Sequence, residues 1–544
     1  MRTPLSIGGC LVVGFSTALA LSSCGSGGGS GTGTGGSNGS GGTTGTGGIT
    51  ASGGAPGTGG TGAGGNGTGG SAGKGGAPGT GGAGVSTGGA GGTGVAGAGA
   101  SGGAGRGGSS GATGGAGVAG ANGSGGSAGG GGATSTCGGG SAASADVTVQ
   151  LGTFGQTMDG FGVCNAFQGT AISDATADQF FDPNKGIGLS IFRLGIGPDG
   201  SSLGPIGDAQ KAAQRGAIVW AAPWTPPANC KSNNSLDNGG TLNTSCYDSW
   251  STTVAGFVAT AKQAGVTVMG ISAQNEPDNS TPYDSCIFSG AQMVAFVKVL
   301  GPKLKALNPA VKLLSSEATE WEDLWGGTNY NYGNLLLADT QAAAQVDILA
   351  THMYQTQDAV APPAGVTKPI WMTEMSGVMG YPEAGPSSDI ADGLVWADWV
   401  YQAIVVGNAS AWHAWWITSL NNDNEGLLLM NGGTTKRLYT VGNYSKFIRP
   451  GYRRVTLSGT PPTGVELTAY VSPTDGTLVV VALNSGTSAV SLPLFLSGNA
   501  PCTMTPWVTS ASDNLAAKTA VAVSGSRLTP MLAAQSVTTF VGKP

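Results

Sequence analysis

Two glutamates stand where apolar, strand-like segments give way to polar residues. Glu276 lies in a Gln-Asn-Glu-Pro segment after the apolar run 266–273, and Glu374 ends a similar run that starts at Pro369. When parallel strands close into a barrel, the loops that leave their carboxyl ends enclose the catalytic cleft. Two carboxyl groups facing each other across such a cleft are the minimum needed to cleave a glycosidic bond. The positions of the two glutamates therefore predict cleavage of a glycosidic bond at the carboxyl-terminal edge of the strands.

Eight apolar segments of strand length alternate with helical segments along this part of the chain. The predicted strands are 160–164, 189–194, 217–222, 266–273, 311–315, 346–350, 369–373 and 409–415. The helices between them are marked by capping residues, among them Ser173 or Asp174, Ser289, Gly265 and Gly407. Fully apolar strands in β/α repeats indicate an α/β fold of the (β/α)8 TIM-barrel type over residues 159–444. A nucleotide-binding doubly wound sheet is disfavoured, because no glycine-rich loop follows the first strand.

The chain changes character at Ser445. Helical signals stop, and short strands separated by Pro, Gly and Asn are predicted at 465–471, 477–483, 489–494 and 536–541. This pattern is typical of a β-sandwich side domain over residues 445–544. An additional strand at 147–151 has no partner in the barrel, and we expect residues 146–158 to join the side domain.

Residues 25–136 are almost wholly Gly, Ala, Ser and Thr, with Lys74 and Arg106 the only charged residues. Such a segment buries too little apolar surface to offset the entropy of ordering its backbone. The composition predicts a disordered tether with a root-mean-square span of about 60 Å. A collagen-like structure is excluded, because there is no strict three-residue glycine period.

Residues 1–24 have the pattern of an export signal. Arg2 precedes an apolar run from Leu5 to Leu21, and the Leu-Ser-Ser-Cys ending at Cys24 resembles a bacterial lipobox. Lipidation of Cys24 would attach the protein to the cell surface or outer membrane, with no other membrane contact. The alternative is cleavage after Ala20, which would release a secreted, soluble protein.

Charge and cysteine content restrict the partners. Residues 146–544 hold 20 basic and 29 acidic residues, a formal charge of −9, which argues against nucleic acid and favours a neutral or weakly charged substrate. The six cysteines from Cys137 onward permit 15 pairings, of which Cys230 with Cys246 is favoured because the two flank one polar loop. His352 and His413 are the only histidines, and no residues have metal-ligand spacing. We expect a monomer without metal or cofactor.

Several motifs, in order, resemble glycoside hydrolase family 30, which belongs to a clan of retaining barrel glycosidases. The matching segments are Asp159-Gly-Phe-Gly162, Phe192-Arg-Leu-Gly195, Ala222-Pro-Trp-Thr-Pro-Pro227, Gln274-Asn-Glu-Pro277, Thr351-His-Met-Tyr354 and Trp371-Met-Thr-Glu374. Segments 444–452 and 532–541 are similar to the bacterial xylanase branch. The resemblance covers 146–544 and none of the tether.

The resemblance implies that Glu276 is the acid/base and Glu374 the nucleophile, on the fourth and seventh strands. Retention of configuration implies carboxyl groups about 5–5.5 Å apart. We expect the second carboxylate to raise the pKa of Glu276, which must hold a proton, and Arg193 to keep Glu374 ionised. Asn275 would bind the sugar 2-hydroxyl, and His352 and Tyr354 would orient the nucleophile.

Trp224, Trp415 and Trp416 offer flat faces on which a sugar ring can stack. Strand alternation would send one of Trp415 and Trp416 inward and the other toward the helices, and His413 is expected to be structural. The remaining carboxylates near strand ends are interpreted as structural or subsite residues. They are Asp278, Glu317, Glu320 and Glu322.

One departure from the family pattern concerns the substrate. Glucuronate-dependent xylanases of the family carry an arginine in the loop after the eighth strand, whereas residues 417–426 hold two acidic residues and no basic one. We therefore predict an endo-acting β-1,4-xylanase without a glucuronate requirement. The alternatives are a β-1,6-galactanase or β-1,6-glucanase of the same family, or a non-catalytic glycan-binding surface lipoprotein. The last is disfavoured because both carboxylates are present.

Overall fold

The computed structural model describes residues 137–327, 330–377, 389–420 and 425–544. The predicted signal peptide, with Cys24, and the whole predicted tether lie outside these residues. Within them the chain forms an α/β barrel and an all-β side domain. Among the helices of this part, none combines the length and the apolar character that a membrane span requires.

The strands are numbered in chain order. They are β1 (Val147–Thr157), β2 (Gly160–Cys164), β3 (Ile191–Ile196), β4 (Ile218–Pro223), β5 (Val268–Ser272), β6 (Lys312–Ala318), β7 (Ile348–Thr351), β8 (Ile370–Met372), β9 (Ala411–Thr418), β10 (Gly426–Leu428), β11 (Arg453–Ser458), β12 (Val465–Val471), β13 (Leu478–Asn484), β14 (Val490–Ser491), β15 (Leu494–Ser497), β16 (Thr503–Thr509), β17 (Ala516–Ala517), β18 (Val521–Ala522), β19 (Arg527–Leu528), β20 (Met531–Leu532) and β21 (Ser536–Gly542).

The helices are numbered in the same way. They are α1 (Asp174–Phe181), α2 (Ile206–Gln214), α3 (Tyr247–Gln263), α4 (Gly290–Leu307), α5 (Trp321–Trp325), α6 (Tyr332–Ala338), α7 (Thr340–Gln345), α8 (Ile390–Tyr401) and α9 (Lys436–Ser445). Short 3-10 turns occupy Ala228–Cys230 and Thr244–Cys246, and a π-helical turn, Gln402–Val406, follows α8.

The predicted TIM barrel is confirmed. Strands β2 to β9 are parallel neighbours in chain order, and β9 also pairs with β8 and β2, which closes the sheet. Each strand coincides with a predicted apolar segment to within three residues at either end. The short strand β10, which was not predicted, adds to the outside of β9.

The helix boundaries follow from local chemistry. Ser289 accepts a hydrogen bond from the Gln292 backbone N–H, and the Gln292 side chain bonds back to Ser289, so α4 begins with a complete capping box. Ser173 caps α1 in the same way through the Thr176 N–H. Gly265 follows α3 with φ of +74°, a conformation that glycine adopts without strain.

Aromatic side chains fill the barrel interior below the site. Trp220, Trp371 and His413 have ring centres 5.6–6.0 Å apart. The Trp220 indole N–H donates to His413 Nε2 (3.2 Å), and His413 Nδ1 bonds to the Met372 carbonyl (3.0 Å). Burial lowers the pKa of His413 to about 3, so the ring is neutral. Gly162 is required here, since a Cβ would lie 2.2 Å from the His413 ring.

The expected all-β side domain is confirmed. Its strands form one ten-stranded mixed sheet and a two-stranded ribbon of β14 and β20. The strand that precedes the barrel, β1, lies within this sheet, antiparallel to β11 and parallel to β15. Strand β13 is buried on both faces, because Val479, Val481 and Leu483 pack into the barrel's apolar cluster while the alternate residues pack within the side domain.

Two disulfides lie within the described residues. Cys230 pairs with Cys246, as predicted, and Cys137 pairs with Cys502, which ties the start of the described chain to the side domain. Cys164 and Cys286 are buried thiols, and burial raises the pKa of each to about 12. They are therefore protonated and unreactive at neutral pH.

Candidate active site

Glu276 lies beyond the end of the fourth barrel strand, β5, and is held by the neighbouring strands. Its backbone N–H donates to the Glu317 carbonyl (3.0 Å), and the Asn275 N–H donates to the Pro223 carbonyl (2.8 Å). Glu276 has φ of +42°, a left-handed conformation unusual for a glutamate. Such strain is typical of functional sites and fixes the direction of the side chain.

The Glu276 carboxylate has partners at both oxygens. His352 Nδ1 lies 3.1 Å from Oε1, and the Asn279 amide donates to Oε2 at 2.9 Å. We expected His352 to orient the nucleophile, but its hydrogen bond is to Glu276, and its Nε2 lies 3.8 Å from Glu374. Asn279 was not singled out from the sequence.

Glu374 follows the seventh barrel strand, β8, and is also held at both oxygens. Tyr354 donates to its Oε1 (2.8 Å), and Arg193 donates to its Oε2. Arg193 is fully buried and bonds in addition to Asn275 Oδ1 and to Glu317 Oε2. One oxygen of Glu276 and one of Glu374 lie within 4.8 Å of each other. The two strand ends therefore bring both glutamates to one point.

Glu317 is a third carboxylate in the site. A bulge interrupts the pairing of β6 with β7 between Ser316 and Ala318, and Glu317 adopts φ of +56° within it. Its side chain is fully buried, 2.7 Å from Arg193 and 3.6 Å from His352 Nε2. The sequence predicted a structural or subsite role, and nothing in the local pattern signalled the bulge.

The charges in this cluster determine which of its groups holds a proton. Burial opposes ionisation of Glu276, but the hydrogen bond and charge of His352, with Asn279 and Arg193, outweigh it and lower the pKa of Glu276. Burial also opposes the charge on His352, but the surrounding Glu374, Glu276 and Glu317 raise its pKa to about 9. The expectation that a second carboxylate raises the pKa of Glu276 is therefore wrong, because the His352 imidazolium is hydrogen-bonded to Glu276 and outweighs the other effects.

Glu374 has the opposite balance. Its burial raises its pKa above the ordinary value, assisted by the charge of Glu276, and His352, Arg193 and Tyr354 only partly offset this effect.

His352, Glu276 and Glu374 are close enough to share a metal ion. His352 and Glu276 are hydrogen-bonded to each other, and Glu374 is bonded to Tyr354 and Arg193. The positive charge of the Arg193 guanidinium disfavours a second cation at this point.

Three tryptophans form one wall of the site. Trp415 and Trp416 are stacked with ring centres 5.2 Å apart, and Trp224 lies 5.8 Å from Trp415. The expectation that strand alternation separates Trp415 from Trp416 is wrong. The pairing of β2 with β9 shifts between Ala414 and Trp416, and this bulge turns both indoles to the same cavity.

The glutamates open into a cleft of about 560 Å³. The predicted residues Trp224, Asn275, Glu276, Tyr354, Glu374, Trp415 and Trp416 line it. Arg193 and His352 are fully buried behind it and reach it through the carboxylates. Glu425, one of the two acidic residues noted in the loop 417–426, also lines the cleft. Sequence reasoning missed six further lining residues. They are Phe167, Asn279, Tyr283, Thr319, Gln355 and Ser376.

The other strand-end carboxylates lie outside the cleft lining. Asp278 accepts hydrogen bonds from the backbone N–H and the hydroxyl of Thr319, so it joins the loops after the fourth and fifth strands. Glu320 is the residue before helix α5, and Glu322 is exposed in its first turn.

A closed parallel barrel that brings two glutamates together at the ends of its fourth and seventh strands defines a glycoside hydrolase. The glycosyl hydrolase family 30 TIM-barrel domain matches residues 201–367. An endoxylanase of family 30 from Clostridium papyrosolvens C71 is 31% identical, over 73% of this chain and all of that chain, with a TM-score of 0.61. The chain belongs to glycoside hydrolase family 30.

Two further relatives agree. The family 30 subfamily 8 xylanase Xyn30A of Clostridium acetobutylicum is 29% identical, with a TM-score of 0.65, over 74% of this chain and all of that one. Glucuronoxylanase XynC of Bacillus subtilis (strain 168) is 29% identical over 412 residues, which cover 73% of this chain and 92% of XynC.

Proposed function

We propose that this hydrolase is a retaining endo-β-1,4-xylanase in which Glu374 is the nucleophile and Glu276 the acid/base. The observation that carries the proposal is the approach of their carboxylate oxygens to within 4.8 Å at the floor of an aromatic-walled cleft. Retaining glycosidases place the two groups about 5–5.5 Å apart, whereas inverting enzymes leave roughly 6.5–9.5 Å for a water molecule.

In the first step a Glu374 oxygen attacks the anomeric carbon and the glycosidic C–O bond breaks. Glu276 delivers a proton to the departing oxygen, so the leaving chain ends in a hydroxyl and the sugar is esterified to Glu374. Arg193 and Tyr354 fix the attacking carboxylate through a hydrogen bond to each oxygen. Asn275 gives its carbonyl oxygen to Arg193, which leaves its amide nitrogen to donate to a sugar hydroxyl.

In the second step water replaces the leaving chain. Glu276, now a carboxylate, removes a proton from the water, whose oxygen attacks the anomeric carbon and releases Glu374. Two displacements at one carbon restore its original configuration. The Trp224, Trp415 and Trp416 faces provide stacking surfaces for the apolar face of the sugar held there.

The choice of xylan rests on the relatives. The proteins that match at about 30% identity over nearly their whole length are named endoxylanase, xylanase and glucuronoxylanase. We propose that this chain differs from the last in needing no glucuronate branch. Its cleft lining contains Glu425 and, among the described residues, no Lys or Arg. A branch carboxylate would meet negative charge there.

The substrate is tested with xylan, glucuronate-branched xylan, β-1,6-galactan and β-1,6-glucan at equal mass concentration. We expect new reducing ends from both xylans, at rates that differ by less than about threefold, with long products early in the reaction. Preferential cleavage of a β-1,6-linked glycan would show that this glycan, and not xylan, is the substrate. A large stimulation by glucuronate branches would contradict the interpretation of the Glu425 loop.

The roles of the two glutamates are tested with Glu374→Gly and Glu276→Gly. Each is expected to lower kcat on xylan on the order of 10⁴-fold or more. With an activated aryl β-xylobioside, whose phenolate leaves without protonation, azide should restore turnover in both variants. Azide attacks the sugar directly in Glu374→Gly and gives an α-glycosyl azide, whereas in Glu276→Gly it attacks the glycosyl-enzyme and gives a β-glycosyl azide. Glu322→Gln, at an exposed glutamate of α5, is the matched control and should be unchanged. Identical azide products would contradict the assignment.

A further inference from the structure

Two exposed aromatic rings stand at the mouth of the cleft. Among the residues described by the structure, Tyr283 (54% exposed) and Phe167 (38% exposed) are the aromatic side chains that remain largely open to solvent. Both line the cavity that holds Glu276 and Glu374. Large apolar side chains that stay exposed at a cavity typically serve as binding surfaces.

The backbone beneath Tyr283 is fixed, although its ring is exposed. The Tyr283 carbonyl accepts hydrogen bonds from the hydroxyls of Thr281 (3.1 Å) and Ser285 (3.0 Å). The Asn238 N–H donates to the Thr281 carbonyl at 2.7 Å, which joins this loop to the one after the third strand. An aromatic ring on a rigid loop can bind a ligand with little loss of conformational entropy.

A buried lysine strengthens the same junction. Lys231 is 3% exposed, and its ammonium group donates to the carbonyls of Ser285 and Leu236 and to the Thr225 hydroxyl. Its neighbour Cys230 is bonded to Cys246, so the supporting loop is closed covalently. These contacts hold in place the loop that carries the exposed side chain of Tyr283.

The position of Tyr283 relative to the two glutamates indicates which sugar it would meet. Its loop starts directly after Glu276, and Asn279 of that loop bonds to the Glu276 carboxylate at 2.9 Å. Tyr283 lines the same cleft as Glu276, Glu374 and Glu425. The acid stands beside the oxygen that leaves, so its loop borders the leaving chain.

Phe167 contacts a different part of the cleft lining. Its ring packs edge-on against Trp224 with centres 5.3 Å apart. The Arg193 guanidinium lies 4.6 Å from the Trp224 ring centre, and Arg193 donates to Glu374. Phe167 therefore continues the wall next to the sugar that becomes esterified to Glu374, whereas Tyr283 belongs to the loop that follows Glu276.

We propose that Tyr283 forms the binding platform for the first sugar unit of the leaving chain, with its ring stacked on the apolar face of a pyranose. The proposal rests on the proposed function, because it takes Glu276 as the proton donor. It assigns the ligand as a neutral pyranoside, since Tyr283 shares the cleft lining with Glu276, Glu374 and Glu425, whose negative charge would repel an acidic sugar.

The test compares two substrates that share the retained sugars and differ in the leaving group. The leaving group of xylohexaose is a sugar chain. The leaving group of β-xylobiosyl fluoride is fluoride, which cannot stack on an aromatic ring. In Tyr283→Ala the ratio of kcat/KM for xylohexaose to that for the fluoride should fall about tenfold, the size of a lost stacking contact. Tyr283→Phe keeps the ring and should keep the ratio within about twofold.

Phe167→Ala is the matched control. It removes a second exposed ring that would contact the sugars common to both substrates, so both rates should fall and the ratio should stay the same. Capture of the glycosyl-enzyme by added xylobiose, measured as transfer product relative to hydrolysis, should decrease in Tyr283→Ala and not in Phe167→Ala.

An unchanged ratio in Tyr283→Ala, with unchanged transfer to xylobiose, would overturn the platform. An equal loss on both substrates would also overturn it, because Tyr283 would then act on the retained sugars or on the fold. Failure of the proposed function is seen separately, in a wild-type protein that cleaves neither xylohexaose nor the fluoride. If wild type prefers a β-1,6-glycan, the same ratio measured with that oligosaccharide decides the role of Tyr283.

Discussion

At the scale of single residues, the proposed acid/base Glu276 is paired with an imidazole. His352 and Glu276 are 3.1 Å apart, and the imidazole is the better base of the two. In the proposed mechanism, Glu276 can supply a proton to the leaving oxygen only if His352 returns one across this bond. The pH dependence of proton donation therefore reflects the pKa values of the His352–Glu276 pair, and not the pKa of an isolated carboxyl group.

This arrangement predicts the pH dependence of kcat/KM on xylohexaose. The alkaline limb should have its midpoint near pH 9, where the pair loses its proton. The acid limb should lie above the ordinary glutamate value of about 4.3, because Glu374 must be ionised and its pKa is raised. Rates measured from pH 4 to pH 10 in buffers of constant ionic strength give both midpoints.

His352→Gln separates the pair from a lone carboxyl group. The amide can still donate to Glu276 but cannot hold the proton, so the alkaline limb should move down by about one pH unit or more. The raised pKa also means that protonated His352 stabilises the fold below about pH 6.5 and that this contribution disappears as pH rises through about 9. An alkaline limb unchanged in the variant would exclude His352 as the proton store.

The site residues whose positions the sequence predicted are those fixed by strand ends. Glu276, Glu374 and Tyr354 follow barrel strands, and their meeting at one edge is a property of the barrel. The orientation of Trp415 and Trp416 was predicted wrongly, because a bulge at this point of β9 changes which face a side chain occupies. Glu317, predicted as a structural or subsite residue, lies at a second bulge that the sequence did not signal. Bulges depend on tertiary pairing, and single-sequence periodicity contains no record of them.

At the scale of elements, helices α8 and α9 are joined by a buried ion pair. Arg437 donates to Asp392 at 2.7 Å, with both side chains almost fully buried, and its guanidinium stacks on Trp396 at 5.0 Å. Burial raises the pKa of Asp392 to about 6, although Arg437 opposes the shift. Breaking such a pair leaves one buried group without its main partner, which costs more than the pair itself contributes.

We predict that Arg437→Met destabilises the protein by about 3–5 kcal/mol at pH 8. The loss should be smaller at pH 5, because Asp392 without Arg437 is then protonated and no charge is buried. Denaturant unfolding at the two pH values measures both numbers. The double variant Asp392→Leu with Arg437→Met removes both charges and should be more stable than the single variant. Equal losses at pH 5 and pH 8 would contradict the electrostatic account.

The elements themselves were largely predictable. The eight barrel strands are continuous apolar runs because both of their faces are buried, and capping residues mark several of the helices. Strands β10, β11 and β16 to β20 were not predicted, nor was the division of the predicted strand 489–494 into β14 and β15. Most of these strands are four residues long or shorter, too short to show a period of their own, but β11 and β16 have six and seven residues and mix polar with apolar positions.

At the scale of the whole molecule, the barrel and side domain share one apolar cluster. Val481 and Leu483 of β13 and Val537 of β21 belong to the cluster that runs behind the barrel helices. The Thr539 hydroxyl donates to the Asn443 carbonyl at 2.6 Å, and the Asn443 amide donates to the Trp507 carbonyl at 3.0 Å. We predict that both parts unfold in one cooperative transition.

Leu483→Ala tests this coupling from the side-domain strand. Removal of a buried leucine should cost about 2–4 kcal/mol and lower the temperature at which hydrolytic activity is lost, although Leu483 is outside the cleft. Calorimetry should show a single transition in both proteins. Met531→Ala, at a side chain that is 64% exposed, is the control and should leave the temperature of the unfolding transition unchanged. Two separate transitions would show that the parts fold independently.

The predicted site of membrane attachment is Cys24, which lies outside the described residues. We propose that the chain is exported and lipidated there, with the Gly-rich residues 25–136 between the lipid and the catalytic part. Expressed in full length in a bacterium that processes lipoproteins, the wild type should sediment with membranes and incorporate labelled palmitate. Cys24→Ser should do neither, whereas Cys10→Ser, at the other cysteine of the leader, should behave as wild type. Wild-type protein found unlabelled in the medium would favour cleavage after Ala20 and a secreted, soluble enzyme.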